Sequence, residues 1–237
     1  MPTFADQPPD LLLSSGFLAF ARHAGVVAAL QERGIRPAAI VGTSSGSVVG
    51  ALLAAGYDAD AIAAALRGRR PIGLMRPHLQ PWRGVARLDP FVALMRSLLP
   101  PRFEDLQIPL AVGVIRPDGS HTLLERGDLP QAVVASCAMS HVFAPIVLDG
   151  VAYADGGAAD RLALAPWRGW RPGRRAIAHE VARTAGRDVD GDRSGVLTIR
   201  TPRSGASFLS LGDFDGQVAQ ARALALASLD AATAVGR

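Results

Sequence analysis

Lysine is absent from the chain: all 25 basic residues are arginine. Total avoidance of lysine, beside abundant alanine, glycine and proline, marks a compositional bias. The formal net charge of +4 is therefore mild and does not argue for a nucleic-acid partner. A single cysteine, Cys137, excludes an intrachain disulfide and any cysteine-rich metal site. Aromatic residues make up only 5%, so Ala, Val and Leu must fill the interior. The longest apolar-plus-glycine run, Val48 to Tyr57, falls well short of the roughly 20 residues that span a bilayer. The opening MPTFADQPPD carries acids and prolines where a signal peptide would carry a basic segment and an apolar stretch, which sets a cytoplasmic location as the expectation.

At 237 residues, 49% of them hydrophobic and 19% charged, the chain suits one substantial core rather than a disordered or fibrous state. Residues 1–10 read as a flexible start and 11–237 as one domain. Short apolar runs alternate with helical stretches, the pattern of an α/β fold with a mainly parallel sheet. Leu11 to Leu13 reads as a strand ending at Ser14-Ser15-Gly16, and a helix from about Phe20 to Arg33 follows, with Gly34 as its left-handed cap. A second strand, Ala38 to Val41, runs into Gly42-Thr43-Ser44-Ser45-Gly46 and a helix over Ser47 to Ala55.

Further on, Leu110 to Ile115 and His121 to Leu124 flank Arg116-Pro117-Asp118-Gly119, a hairpin signal. Asp128 with Gln131 forms a capping box. A second hairpin turns at Asp149-Gly150, between Ile146 to Leu148 and Val151 to Ala154. Gly195 to Ile199 reads as a strand and Gln217 to Ala232 as an alanine-rich helix. Two arginine-rich stretches, Arg67 to Asp89 and Trp167 to Arg175, read as loops or caps on the sheet. Both are candidates for lipid contact, or else arginine-biased surface with a few anchoring tryptophans.

Gly42-Thr43-Ser44-Ser45-Gly46 fits G-x-S-x-G between a strand and a helix, the setting of a nucleophile elbow. Its glycines permit a strained turn that exposes the Ser44 hydroxyl, and the following helix directs N–H groups toward developing negative charge. The plain alternative is a glycine turn. A serine nucleophile needs a base. Of the five histidines only His179 lies late enough in the chain for the usual Ser-acid-His order, and nothing else marks it. Asp155, in Tyr153-Ala154-Asp155-Gly156-Gly157, is the better partner, since a carboxylate at a strand end becomes a useful base when partly desolvated.

In order along the chain, these segments resemble the patatin-like phospholipases. Leu13-Ser14-Ser15-Gly16 through His23-Ala24-Gly25-Val26 is similar to that family's first strand, glycine-rich loop and helix. Ile40 to Ser47 resembles its serine elbow. Ala135-Ser136-Cys137-Ala138, Phe143-Ala144-Pro145 and Asp155-Gly156-Gly157 resemble the segment ending in its catalytic aspartate. The resemblance implies a single-domain three-layer sandwich with a mainly parallel sheet. It also implies a Ser–Asp dyad of Ser44 and Asp155, with Gly42, Gly46, Gly156 and Gly157 as motif glycines. N–H groups of Gly16, Phe17 and Ser45 would form the oxyanion hole.

The glycine run of the family is reduced here to Gly16, and Ala19 stands where its arginine falls; Arg22 is a candidate replacement for that charge. Phe17 and Leu18 can supply N–H groups if their backbone angles are ordinary. His141 stands where the family tends to have a small residue or proline.

The expected activity is hydrolysis of lipid acyl esters, through an acyl-enzyme and without metal or organic cofactor. The expected partners are a lipid or acyl-ester substrate and a membrane surface met peripherally, and no nucleic acid. Two other readings stay open: an impaired relative that binds lipid or a protein partner, and a histidine-dependent esterase using His179.

Overall fold

The computed structural model describes residues 7–79, 84–183 and 191–234. Strand β1 (Asp10–Leu13) leads into helix α1 (Phe20–Glu32), then β2 (Ile40–Thr43), α2 (Ser45–Ala54) and α3 (Ala59–Leu66). A short 3-10 helix, Pro71–Leu74, precedes the small hairpin β3 (Arg76–Pro77) and β4 (Ala86–Arg87), and α4 (Asp89–Leu98) follows. Next come β5 (Leu110–Ile115), β6 (His121–Leu124), α5 (Leu129–Ala135), β7 (Ile146–Leu148) and β8 (Val151–Asp155). The chain continues through α6 (Leu164–Trp170), β9 (Ala176–Val181), β10 (Val196–Thr201) and α7 (Phe214–Ala234).

The main sheet runs β10-β9-β1-β2-β5-β8-β7, with β6 also paired to β5. From β10 to β5 every pairing is parallel; β6, β7 and β8 add antiparallel partners. A parallel strand is covered on both faces, and its apolar residues alternate between two layers. Leu11 and Leu13 enter the larger core with α1 and α2, while Leu12 faces the smaller one with Val41, Ala111 and Trp167 of α6. The expected three-layer sandwich with a mainly parallel sheet is therefore what the chain forms.

Local chemistry accounts for several of the helix ends. Gly34 (φ +64°) and Gly56 (φ +99°) each follow a helix, and the next N–H reaches back five residues, Ile35 to Leu30 at 2.8 Å and Tyr57 to Leu52 at 3.1 Å. Asp128 accepts from the Gln131 N–H at 2.9 Å, and the Gln131 amide donates back at 2.8 Å, completing the capping box. Both hairpins lie where their turn residues place them.

Several boundaries differ from expectation. Strand β2 begins at Ile40 and extends through Thr43, because its ladder partners on β1 and β5 start there. Helix α2 starts at Ser45, two residues early, so only Ser44 separates strand from helix. Strand β9, wholly buried, follows the second arginine-rich stretch. That stretch is no lipid-facing loop: Trp167 lies in α6 at 0% exposure. Its indole N–H donates to the buried Asp10 carboxylate at 3.0 Å, which Arg171 and Arg174 also hold. A buried acid needs such partners, and the Arg-Trp composition serves this internal cluster. The other stretch divides into the 3-10 helix and the β3–β4 hairpin; Trp82 lies outside the described residues.

Candidate active site

With one residue between β2 and α2, Ser44 must turn the chain alone, and it does so at φ 53°, ψ −122°. A non-glycine residue there stores on the order of 1–3 kcal/mol of strain. Its surroundings hold it in place. The Ser44 N–H donates to Ser136 Oγ at 2.8 Å, and that hydroxyl donates in turn to the Gly113 carbonyl of β5 at 2.7 Å. The Ser44 carbonyl accepts from the N–H and the hydroxyl of Ser47, at 2.9 and 2.7 Å. Neither motif glycine admits a side chain. A Cβ at Gly42 would lie 2.6 Å from the Gly46 carbonyl oxygen, and one at Gly46 would lie 2.2 Å from that of Leu13.

Sheet register brings the carboxylate to the serine. Thr43 pairs with Gly113 of β5, and the next residue of β5, Val114, pairs with Asp155 at the end of β8. The residue after Thr43 and the last residue of β8 therefore meet at one point of the sheet. Asp155 is buried, its N–H donates to the Ala138 carbonyl at 3.0 Å, and its Oδ1 accepts from the Gly157 N–H at 2.8 Å. Burial raises its pKa to about 6, against the opposing pull of the Gly157 N–H and the Ser44 hydroxyl, which favour the charged form.

Both side chains line a mostly apolar cavity of about 570 Å³, together with Gly16, Phe17, Ser45 and Gly157. All the residues named above for the elbow, the base and the oxyanion loop thus flank or support one cavity. Further lining comes from Leu74, Met75, Phe91, Met139 and Phe143, of which Phe91 and Met139 carried no local signal in the chain. Cys137 lies beside the pair; burial, then the charge of Asp155, pushes its thiol up, so it stays protonated. His141, exposed and at φ 68°, stands at the cavity wall.

The loop after β1 departs from expectation in two ways. Leu18 has φ 48°, a conformation that suits glycine, so its backbone angles are not ordinary ones. Arg22 does not reach the site: its guanidinium is spent on the Gln220 side chain and on the Gln217 and Arg203 carbonyls beside α7. A cation that does line the cavity is Arg161, six residues after Asp155. It donates to the Ser15 carbonyl at 3.1 Å and to that of Val181, while the Ser15 N–H donates to the Arg161 carbonyl at 2.9 Å. Ser15 in turn packs on Gly157, where a Cβ would sit 2.4 Å from its hydroxyl. Arg161 thereby clamps the loop from the segment that carries the aspartate, a link between distant residues that no short motif reveals.

His179 is buried away from Ser44, its Nδ1 2.8 Å from Nδ1 of His23 and its Nε2 2.9 Å from the Thr201 hydroxyl. His23 Nε2 lies 3.3 Å from the Ser45 hydroxyl. Both rings are engaged with each other and with these hydroxyls. Among the described residues, no group of three or more His, Cys, Asp or Glu could hold a metal ion. Among the same residues, no helix is long and apolar enough to cross a membrane.

Comparison with known proteins agrees with this fold. The family model for patatin-like phospholipases matches residues 11–166. Uncharacterised NTE family proteins of Mycobacterium tuberculosis and Mycobacterium bovis are 37% identical over 163 residues, which is 67% of this chain. The chain corresponds to 45% of the length of those relatives. Among solved structures, VipD from Legionella pneumophila superposes with a TM-score of 0.59 at 15% identity, covering 95% of this chain and 67% of VipD. The type III effector ExoU superposes at 0.53, also at 15% identity, covering 94% and 53%. At that identity the two structures speak to the fold, and the family model to descent: this chain belongs to the patatin-like phospholipase family.

Proposed function

We propose that the protein is a lipid acyl hydrolase, a carboxylic-ester hydrolase of phospholipase A or esterase type that acts through Ser44 and Asp155. The observation that carries this reading is a serine at a strained elbow sharing an apolar cavity with a buried carboxylate whose pKa is raised to about 6. A carboxylate at that value is ionised near neutral pH and is still basic enough to accept a hydroxyl proton. Asp155 takes the Ser44 proton as Oγ bonds to the ester carbonyl carbon. N–H groups of Gly16, Phe17 and Ser45 receive the oxyanion. Collapse expels the alcohol, which takes the proton back from Asp155 and leaves an acyl-serine. Water then gives a proton to Asp155 and attacks the acyl carbon. Ser44 leaves as the hydroxyl, and the fatty acid is released. No organic cofactor or metal enters this scheme, and residues 11–237 act in it as one domain. In this reading the protein meets its substrate peripherally at a membrane surface.

The test is mass spectrometry after treatment with a fluorophosphonate. We expect one adduct on Ser44 in the wild type and none in Ser44→Ala. A wild type that stays unlabelled under conditions that label a control hydrolase would overturn the reading. That outcome would favour the second one, an impaired lipid- or partner-binding relative, for which the glycine-type backbone conformation forced on Leu18 is the specific support.

A further inference from the structure

Seven large hydrophobic side chains are substantially exposed among the described residues, and five of them sit on segments that build the cavity mouth. Ile72 is 49% exposed within the 3-10 helix whose neighbours Pro71 and Leu74 line the cavity. Phe208, 38% exposed, lines it too, and Leu209 beside it is 72% exposed. The Ile72 N–H donates to the Phe208 carbonyl at 2.8 Å, and the Phe208 ring meets the edge of Phe17 at 5.1 Å, which joins these segments into one rim. Leu79 at 94% and Val85 at 57% lie between the two strands of the β3–β4 hairpin, which is held to the cavity wall by the Ala86–Phe143 bridge.

Charge follows the same segments. Residues 67–79, 84–88 and 202–212 contain six arginines and no acid. Nearby acids answer only part of this: Asp89 holds both Arg76 and Arg87, and Asp215 holds Arg67. Exposed apolar side chains beside surplus guanidinium groups form the composition that enters a headgroup layer, where each basic residue adds to the attraction of anionic lipid.

We propose that this rim docks the protein on an anionic bilayer, with Ile72, Leu79, Val85, Phe208 and Leu209 entering the headgroup layer. The arginines pair with lipid phosphates, and the cavity opens toward the membrane. The proposal deepens the hydrolase reading and rests on it for the identity of what enters the cavity; the docking itself does not depend on turnover. The elbow and the acyl cavity account for ester cleavage. The rim adds the surface on which the substrate is met.

The test uses the full chain and two variants, Ile72→Ser/Leu209→Ser and Arg69→Gln/Arg70→Gln. Each is sedimented with phosphatidylcholine vesicles, with and without phosphatidylglycerol. Hydrolysis of a water-soluble short-chain ester reports on fold and site. We expect the wild type to bind the anionic vesicles, more weakly as salt rises. Each double variant should bind roughly tenfold less or weaker still, with soluble-ester hydrolysis nearly unchanged. Binding that is equal in all three proteins, or indifferent to phosphatidylglycerol, overturns the proposal. Soluble-ester turnover without vesicle binding sinks the docking and leaves the hydrolase. Variant-sensitive binding without turnover sinks the hydrolase and leaves the docking.

Discussion

Asp155 is held at odds with its own stability. An ordinary carboxylate loses its proton well below pH 5, whereas burial keeps this one until about pH 6. The folded state therefore retains a proton that the unfolded chain has already released. The contribution is favourable below the unfolded pKa and declines as pH rises through about 6. Activity runs the opposite way, because the base works only when ionised. We expect kcat/KM on a soluble ester to rise with pH and level off above an apparent pKa near 6. Asp155→Asn should abolish turnover and, at pH 8, raise unfolding stability by on the order of 1–3 kcal/mol, measured by urea denaturation. A variant that is both inactive and less stable would show that the carboxylate is structural. The sequence already pointed to Asp155 through its strand-end setting before two glycines. It was silent on Arg161, whose clamp on Ser15 exists only because β1, β9 and the segment after β8 converge.

At the scale of the element, the position of α1 depends on how closely α7 can approach it. A Cβ at Gly25 would lie 2.3 Å from the Val218 carbonyl oxygen and 2.8 Å from the Cβ of Ala221, a backbone atom and a methyl group fixed to it, neither of which can swing aside. Gly25→Ala should therefore cost about 1–3 kcal/mol through overpacking, despite the higher helix propensity of alanine. The comparison of urea midpoints between wild type and variant checks it; an unchanged or raised midpoint would mean that α7 yields. Helices α1, α2 and α5 and both hairpins were legible because their signals are local: capping glycines, a capping box, Asp-Gly turns. Strand β9 and helix α6 were not. Ala176 to Val181 mixes apolar residues with His179 and Glu180, polar groups that find partners only across the fold, in His23 and in Arg193 and Arg200.

For the whole molecule, the buried histidine pair sets a lower pH limit. Burial holds His23 down to about 3, and burial with the neighbouring His23, Arg22 and Arg161 charges holds His179 well below its usual value. At an Nδ1 separation of 2.8 Å one nitrogen must donate and the other accept, so the accepting ring is neutral, and burial disfavours charge on the donating one as well. The unfolded chain takes up these protons below about pH 6.5, so stability is fully present above that value and lost as pH falls toward 3. Between pH 6 and 4 the loss should approach about 2–3 kcal/mol per pH unit for two protons, read from urea midpoints across pH. His23→Gln should flatten that slope by one proton, and a wild type whose stability is level across this range would refute the account.

What the chain determines on its own is local and chemical. Gly42 to Gly46 dictates the elbow, the glycines after α1 and α2 dictate where those helices stop, and Asp155-Gly156-Gly157 marks the carboxylate. Family membership is legible too, because the order of these signals is specific. Tertiary structure decided the rest. The register of β2 and β8 on β5 brought Ser44 and Asp155 together, burial raised the pKa of Asp155 to about 6, and the assembly of distant loops formed the cavity and its rim. It also turned the Trp167 segment inward, because the buried carboxylate of Asp10 needed an indole N–H and two guanidinium groups more than the surface did. Periodicity and turn chemistry act over a few residues. Desolvation and charge pairing act on whatever the fold places side by side, and no stretch of sequence states that by itself.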